Sequence, residues 1–298
     1  ATTEIYTLSL HDALPISYNS MLAAIAQAYG VPNAREQFAA DIPMAIKLND
    51  KIQESSAFLQ QITMLPVQDI KGQAVRINIP STIAGRTATS GSVSRQPQTA
   101  GDPDGRTYEC KQTDFDVAIP YSTLDAWARF PKFRQLYMDA VYQRIGLDRI
   151  MVGWYGTSAA ATTDRATNSK LQDVNKGWLY DLKTNKSSHY FTAGTATADK
   201  ITIGSSGDFK NVDQLTYEIG SIIESQNRSG KEVAIIGRGL VAWDCGKTLA
   251  AMGQTPSEKA HFQTLGKSYG GYTSVLVPGF PDYGLMVTDP QRLHLYFQ

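Results

Sequence analysis

The sequence is short of the residues that build most active sites. Its 298 residues include two cysteines, Cys110 and Cys245, far apart and neither in a CxxC pair. Neither a disulfide framework nor a zinc site is indicated, and folding in a reduced compartment is the default. His189, His261 and His294 lack the i, i+4 or HxxxH spacing that would converge on a metal or supply a placed base. No serine sits in G-x-S-x-G, and neither cysteine has a candidate base close to it in sequence. A charge excess is also lacking: 28 Lys and Arg balance 28 Asp and Glu, so bulk electrostatics give neither a nucleic-acid binder nor a membrane-surface binder. No apolar run approaches the roughly 18 residues needed to cross a bilayer. The first residues carry no basic stretch followed by an apolar segment. The expectation is a protein neither secreted nor anchored, with no catalytic apparatus, metal or cofactor.

What is present is length and apolar content: 42% hydrophobic residues suffice for a sizeable core. The chain is organised around Tyr121 to Gly153, YSTLDAWARFPKFRQLYMDAVYQRIGLDRIMVG. Ser122 or Thr123 can cap a short first helix, and Pro131 suits the first turn of a second, where its missing N–H removes no hydrogen bond. At 100° per residue Phe133, Leu136, Tyr137, Ala140, Val141, Leu147 and Met151 form one stripe, with Gln135, Asp139, Gln143 and Gly146 opposite. A helix from Pro131 to Gly153 would be about 35 Å long at about 1.5 Å per residue, enough to act as a spine. Arg144 and Asp148, one turn apart, project onto the apolar stripe. They read either as an intrahelical ion pair at its edge or as a contact with a neighbouring chain.

Around the spine the chain alternates between helix and strand signals. Residues 1–17, ATTEIYTLSLHDALPIS, do not fit the rest of the chain; LSLHDALPI resembles a translated sequencing adapter, so His11 and Asp12 carry no functional weight. YNSMLAAIAQAY (18–29) reads as a helix ended by Gly30 and Pro32. NAREQFAADIPMAIKLNDKIQESSAFLQQI reads as a second, interrupted at Pro43. GQAVRINIP, ending at Pro80, and YECKQTDFDVAIP, ending at Pro120, alternate as strands. Between them residues 81–107 are rich in Gly, Ser and Thr and poor in core-formers, so the two strands flank a long loop as a hairpin arm. After the spine, SAAATTDRATNSKLQDVNKGWL is polar and turn-rich, with Trp178 and Leu179 as anchors. DFKNVDQLTYEIGSII (208–223) reads as a helix capped by Asp208 or Asn211. VAIIG is a buried strand, RGLVAWDCGKTLAAM a helix, PSEKAHFQTL another, and TSVLVP and GLMVT are strands. This alternation predicts an α/β lobe separate from spine and arm. The sequence stops at DPQRLHLYFQ, in the middle of a strand pattern.

One enzyme-like motif stands out. In VAIIGRGLVA, Gly237, Gly239 and Ala242 satisfy G-x-G-x-x-A between a strand and a helix, with Glu258 near the distance of a ribose-binding acid. One reading is therefore a nucleotide-binding α/β enzyme using the GRGLVA turn; the other is a tight strand-to-helix turn. Glu258 falls in a helical segment started by Pro256, and little chain remains for a doubly wound sheet. CGKT at 245–248 fails as a phosphate loop because Val241 stands where the first glycine belongs.

The strings YECKQTDFDVAIPYSTLDAWARF and TDRATNSKLQDVNKGWL, with the spine between them, resemble the major capsid proteins of Peduovirus-type tailed bacteriophages. The likeness extends upstream through QESSAFLQQITMLPV and more faintly downstream through VAIIGRGL and VPGFP. The resemblance implies an α+β chain with the Hong Kong 97-type capsid fold, truncated at its C-terminus. It implies a foreign segment at 1–17, a scaffold-contacting segment and arm at 18–66, and an extended-loop hairpin at 67–120. A peripheral domain with the spine helix would come next at 121–176, then an axial α/β domain at 177–290, and the start of a peripheral strand at 291–298. It implies a structural subunit of the virion, assembled in the host bacterial cytoplasm into pentamers and hexamers of an icosahedral head. Its partners would be further copies of itself, scaffold and maturation protease, and the portal protein, with packaged double-stranded DNA by proximity only and no membrane. Maturation cleavage would fall near Phe38 and Ala39. Arg86, Arg95 and Arg106 of the loop, with Arg144 and Asp148 of the spine, are the candidate contacts between subunits.

Overall fold

The structure, a computed structural model, describes residues 27, 50–54, 56–74, 84, 86, 106–120, 132–191, 194, 200–252 and 268–297. The segment 1–17, the helix at 18–29, the Phe38–Ala39 bond, most of the 81–107 loop including Arg95, the short helix before the spine, and the helix carrying Glu258 lie outside the described residues. By internal contacts the chain divides into two units, one of residues 1–63 with 113–295 and one of residues 64–112 with 296–298.

In the first unit the spine is helix α1, Phe133–Tyr155, 23 residues long. Its length agrees with the sequence reading and its buried face does not. Of the expected stripe Leu136 is 65% exposed and Ala140 is exposed too, while the other five residues are only half-buried. The residues that sink are Gly146, Ile150, Gly153 and Trp154, on a face that includes the supposedly polar Gly146. Close packing decides this. A Cβ on Gly153 would lie 2.3 Å from the Trp178 ring, so the missing side chain lets helix α2, Trp178–Asn185, sit against α1. Ile52, Phe58, Leu59 and Ile62 join Ile150, Trp154, Ile235, Val277, Phe280 and Leu293 in one core. Within that core Leu59 and Ile52 are 0% and 1% exposed.

The same core reaches into the lobe, so spine and lobe are not separate hydrophobic bodies. The lobe holds a four-stranded sheet ordered β5 (Ser268–Tyr269), β6 (Tyr272–Val275), β4 (Val233–Ile236), β7 (Leu285–Thr288). β4 runs parallel to β6 and antiparallel to β7. Its continuous apolar run is that of a central strand covered on both faces. Ile235 and Val233 face the α1 core, while Ala234 and Ile236 face a second core with Val212, Leu240 and Tyr269. That second core is roofed by α3, Val212–Ser221, and α4, Arg238–Met252. Of the two proposed caps for α3, Asn211 is the one used: its side chain accepts from the Gln214 N–H at 2.8 Å, satisfying one of the free donors of the first turn. Asp208 instead accepts from the Thr202 N–H and hydroxyl at 2.9 and 2.7 Å.

In the second unit β2 (Lys71–Ala74) and β3 (Arg106–Glu109) form an antiparallel ladder pairing Lys71 with Glu109 and Gly72 with Tyr108. This is the expected hairpin, with a shorter second strand. Beyond Glu109 the Cys110 N–H still bonds the Ile70 carbonyl at 2.8 Å, but residues 110–120 form no strand and are almost entirely exposed. Tyr108 stacks on Tyr296 at 4.6 Å. Strands β1 (Thr63–Pro66) and β8 (His294–Phe297) form a separate two-stranded sheet.

At the base of the hairpin Glu109 accepts from Lys111 at 2.6 Å and pairs with Lys71 at 2.9 Å. These two ammonium groups hold its carboxyl down from an ordinary 4.5 to about 2. A depressed acid contributes stability that is present above the unfolded value and disappears as pH falls through the folded one. Opening of the β2–β3 ladder, read by amide exchange, is therefore expected to ease as pH drops from about 4.5 towards about 2. Glu109→Gln should remove that dependence, and added salt should weaken it because the pair is exposed. An unchanged pH profile in the variant would contradict this account.

Candidate functional site

The strand-to-helix turn at Gly237 is the place to look for a nucleotide. There the chain folds back so that residues 281–284 lie on the turn. A Cβ on Gly237 would come within 2.2 Å of the carbonyl oxygens of both Pro281 and Asp282. The Leu240 N–H, an end-of-helix donor that a phosphate would seek, bonds the Asp282 carbonyl at 2.9 Å, and the Gly237 N–H bonds the Gly284 carbonyl at 2.9 Å. Protein backbone occupies the pyrophosphate position. The sheet is a mixed four-stranded one and not doubly wound, so the glycines serve close chain approach and the nucleotide-enzyme reading is dropped.

The Tyr269 hydroxyl, 4% exposed as a residue, donates to Asp244. Burial pushes both groups up from their ordinary values, and nearby Asp213 adds to the shift. Asp213 itself accepts from the Gly270 N–H at 2.9 Å, at a turn where Gly270 and Gly271 have φ of 56° and 87°. Cys110 and Cys245 are free thiols whose pKa burial raises, the opposite of activation. Among the described residues no group of His, Cys, Asp and Glu could hold a metal, and no helix is long and apolar enough to cross a membrane.

At the C-terminal end of α1 the expected anchor Trp178 is where the sequence placed it. Its indole N–H donates to the His294 carbonyl at 2.9 Å, and its ring meets Trp154 edge-on at 4.9 Å. Between these tryptophans runs a long loop, residues 157–177, whose organising residue the sequence did not reveal. Asp173, 7% exposed, accepts from the Asp164 N–H at 2.7 Å and the Asn168 amide at 3.1 Å. Asp164 in turn accepts from the Ala166 N–H and the Thr167 hydroxyl at 2.9 and 2.6 Å, and these contacts hold its carboxyl below the usual range. The only advance signal was two aspartates in a turn-rich stretch, which says nothing about which one is buried.

Of the candidate contact residues, Arg144 and Asp148 meet: Nη2 and Oδ1 are 2.9 Å apart, with side chains 67% and 21% exposed. The pair is close but lacks hydrogen-bond geometry at Oδ1, and an exposed guanidinium makes it an ion pair of modest strength. Arg144→Ala is expected to change unfolding free energy by less than about 1 kcal/mol, measured by urea denaturation; a larger loss would make the pair a structural element of the body. Arg86 is exposed. Arg106 lies in β3, opposite Ala74.

Residues 17–298 match the sequence profile of a family described as "Phage major capsid protein, P2 family". The chain belongs to this family. It is 31% identical over 291 residues to "Capsid proteins" of Escherichia phage P2, covering 94% of this chain and 81% of that one. It is 29% identical over 270 residues to the "Major capsid protein" of Serratia phage KSP20, covering 88% and 77%. Among solved structures, a chain of "Satellite phage P4 procapsid including size determination (Sid) protein" superposes with a TM-score of 0.74 at 30% identity, covering 95% of this chain and 84% of that one. The capsid-family chain thus has helices and strands arranged as in a procapsid protein.

Proposed function

We propose that this chain is a non-enzymatic structural subunit that self-assembles into the pentamers and hexamers of an icosahedral phage head. The observation that carries this is the family match over residues 17–298 together with a procapsid chain's fold at a TM-score of 0.74. Two physical features support it. Large apolar side chains remain outside the core, among them Leu136 at 65%, Tyr283 at 77% and Val117 at 58% exposure, as on a surface meant to be covered. Residues 64–112 with 296–298 also form a contact unit of their own, as a reaching hairpin would.

The finer reading is the Hong Kong 97-type arrangement. Residues 18–66 supply a scaffold-contacting segment and arm, 67–120 the extended loop, 121–176 the peripheral domain, and 177–290 the axial domain. Residues 1–17 are foreign to it, and 291–298 begin a peripheral strand. Cleavage lies near Phe38 and Ala39, and Arg86, Arg95, Arg106, Arg144 and Asp148 touch neighbouring subunits. Scaffold, maturation protease and portal protein are partners during assembly in the bacterial cytoplasm, and packaged DNA is met by proximity. Many modest contacts repeated by symmetry would sum to a stable shell.

Mass photometry with negative-stain microscopy on the expressed chain, with and without residues 1–17, tests the proposal. Rings, tubes or shells are expected. A monomer that persists across the accessible concentration range in both forms would overturn it.

A further inference from the structure

The edge strand of the lobe's sheet is held down by carboxylates. β5 is two residues long and joins the sheet only through β6, pairing Ser268 with Thr273 and Tyr269 with Tyr272. So short a ladder is weak by itself, and an edge strand that lifts away uncovers the backbone of the next one. Two further contacts fasten β5, one to each of the helices that roof the second core. The Gly270 N–H donates to Asp213 of α3 at 2.9 Å, and the Tyr269 hydroxyl donates to Asp244 of α4.

Both anchors are carboxyl groups, and they stand close enough to act on one another: the Asp213 charge opposes ionisation of Asp244 and of the Tyr269 hydroxyl alike. Their surroundings offset little of that. Tyr269 is 4% exposed, in the core it shares with Val212, Ala234, Ile236 and Leu240, and Asp244 is half-buried. Among the described residues the cation acting on Asp244 is Lys247, further along α4, which also lies over the Trp243 ring at 4.9 Å. Cys245, next to Asp244 on α4, is a thiol whose ionisation burial and Asp244 both oppose. Burial first and Asp213 second raise the Asp244 carboxyl above its ordinary value, against smaller opposing effects of the Tyr269 bond and Lys247.

A carboxyl raised in the folded chain holds its proton more tightly there than in the unfolded one. The stability this adds is complete below the unfolded value, about 3.9, and is lost as pH rises through the raised folded value. Protonated, Asp244 no longer repels Asp213 and still has an oxygen to accept from Tyr269. Ionised, it sets two carboxylates against each other at β5. The sign is opposite to that of Glu109, whose contribution disappears in acid.

We infer that Asp213, Asp244 and Tyr269 form an acid-tightened clasp on the sheet edge: a proton on Asp244 fastens β5 to α3 and α4, and its loss loosens β5 and uncovers β6. The test compares the full chain with Asp244→Asn, which keeps an oxygen for the Tyr269 hydroxyl and removes the charge. Thermal unfolding is followed from about pH 8 down to about pH 4. Subtracting the variant's midpoint from that of the wild type cancels the other titrating groups, Glu109 included. The difference should be negative at the upper end and rise by about 2–4 °C towards the lower end. Amide exchange at Gly270 in the wild-type chain, corrected for its intrinsic pH dependence, reads the same opening without a substitution and decides alone should the variant not fold. Its protection should fall as pH rises. A midpoint difference that stays constant across the range, or Gly270 protection that does not change with pH, would overturn the clasp. Neither measurement reads assembly, so such a result leaves the shell-subunit reading standing.

Discussion

Trp154→Ala should lower the unfolding free energy by about 3–5 kcal/mol, the range for removing a large aromatic from a packed core. Trp154 is 2% exposed and stands where four segments meet. Its ring is edge-on to Trp178 and Phe280, each at 4.9 Å, and tilted against Phe58 at 5.8 Å. Those neighbours come from α2, from the turn after β6, and from the stretch preceding β1. No one of them can move into the vacated space without leaving its own contacts, so the cavity stays open. Trp154→Phe should lose less than half as much. Its smaller ring keeps the aromatic contacts, and it removes an indole N–H that is buried without a partner among the described residues, a liability of about 1–3 kcal/mol. Urea denaturation followed by circular dichroism separates the two. An alanine variant within about 1 kcal/mol of wild type would mean that the four segments do not share a core.

The spine shows how far such a core can be read from sequence. Its length was legible because 23 helix-compatible residues come after a proline, and its burial was not, because hydrophobic periodicity counts large side chains. What lets α1 pack closely near its C-terminal end is the absence of a side chain at Gly153, which allows Trp178 to approach. No stripe calculation weights a glycine as apolar. Of the expected stripe, Leu136 and Ala140 are left exposed and the other five residues are half-buried. β4 was legible for the opposite reason: VAII has no polar residue to suggest an open face, and both its faces are covered. The hairpin ends were legible from the composition of the loop they flank, but alternation overran the ladder by about a dozen residues, because a period of two records a strand's capacity to pair and not the presence of a partner. The candidate contacts were the least legible. Arg144 and Asp148 were visible through their i, i+4 spacing, whereas the role of Asp173 depends on hydrogen bonds that no spacing encodes.

The glycines of GRGLVA permit a sharper contrast. Gly237→Ala should destabilise the lobe by about 3 kcal/mol or more, at the upper end of overpacking, because the added Cβ would meet two backbone oxygens at 2.2 Å. Backbone carbonyls cannot rotate aside as side chains can. Relief requires pulling residues 281–284 away from the turn and breaking the Gly237–Gly284 and Leu240–Asp282 hydrogen bonds. Gly239→Ala meets its nearest atoms only at 3.1 Å, a gap closed by a shift of a few tenths of an ångström. Alanine also gains up to about 1 kcal/mol over glycine inside a helix. That variant should be nearly neutral. A dinucleotide site would impose a different ranking, since its second glycine is the one that lets backbone approach the pyrophosphate; Gly239→Ala would then abolish ligand binding whatever it did to stability. Thermal unfolding of both variants with and without dinucleotide distinguishes the cases. A steep loss at Gly237, none at Gly239 and no ligand-induced shift in either variant are expected if the turn exists to seat residues 281–284, while equal losses at both positions would mean that the close approach at Gly237 does not govern the lobe.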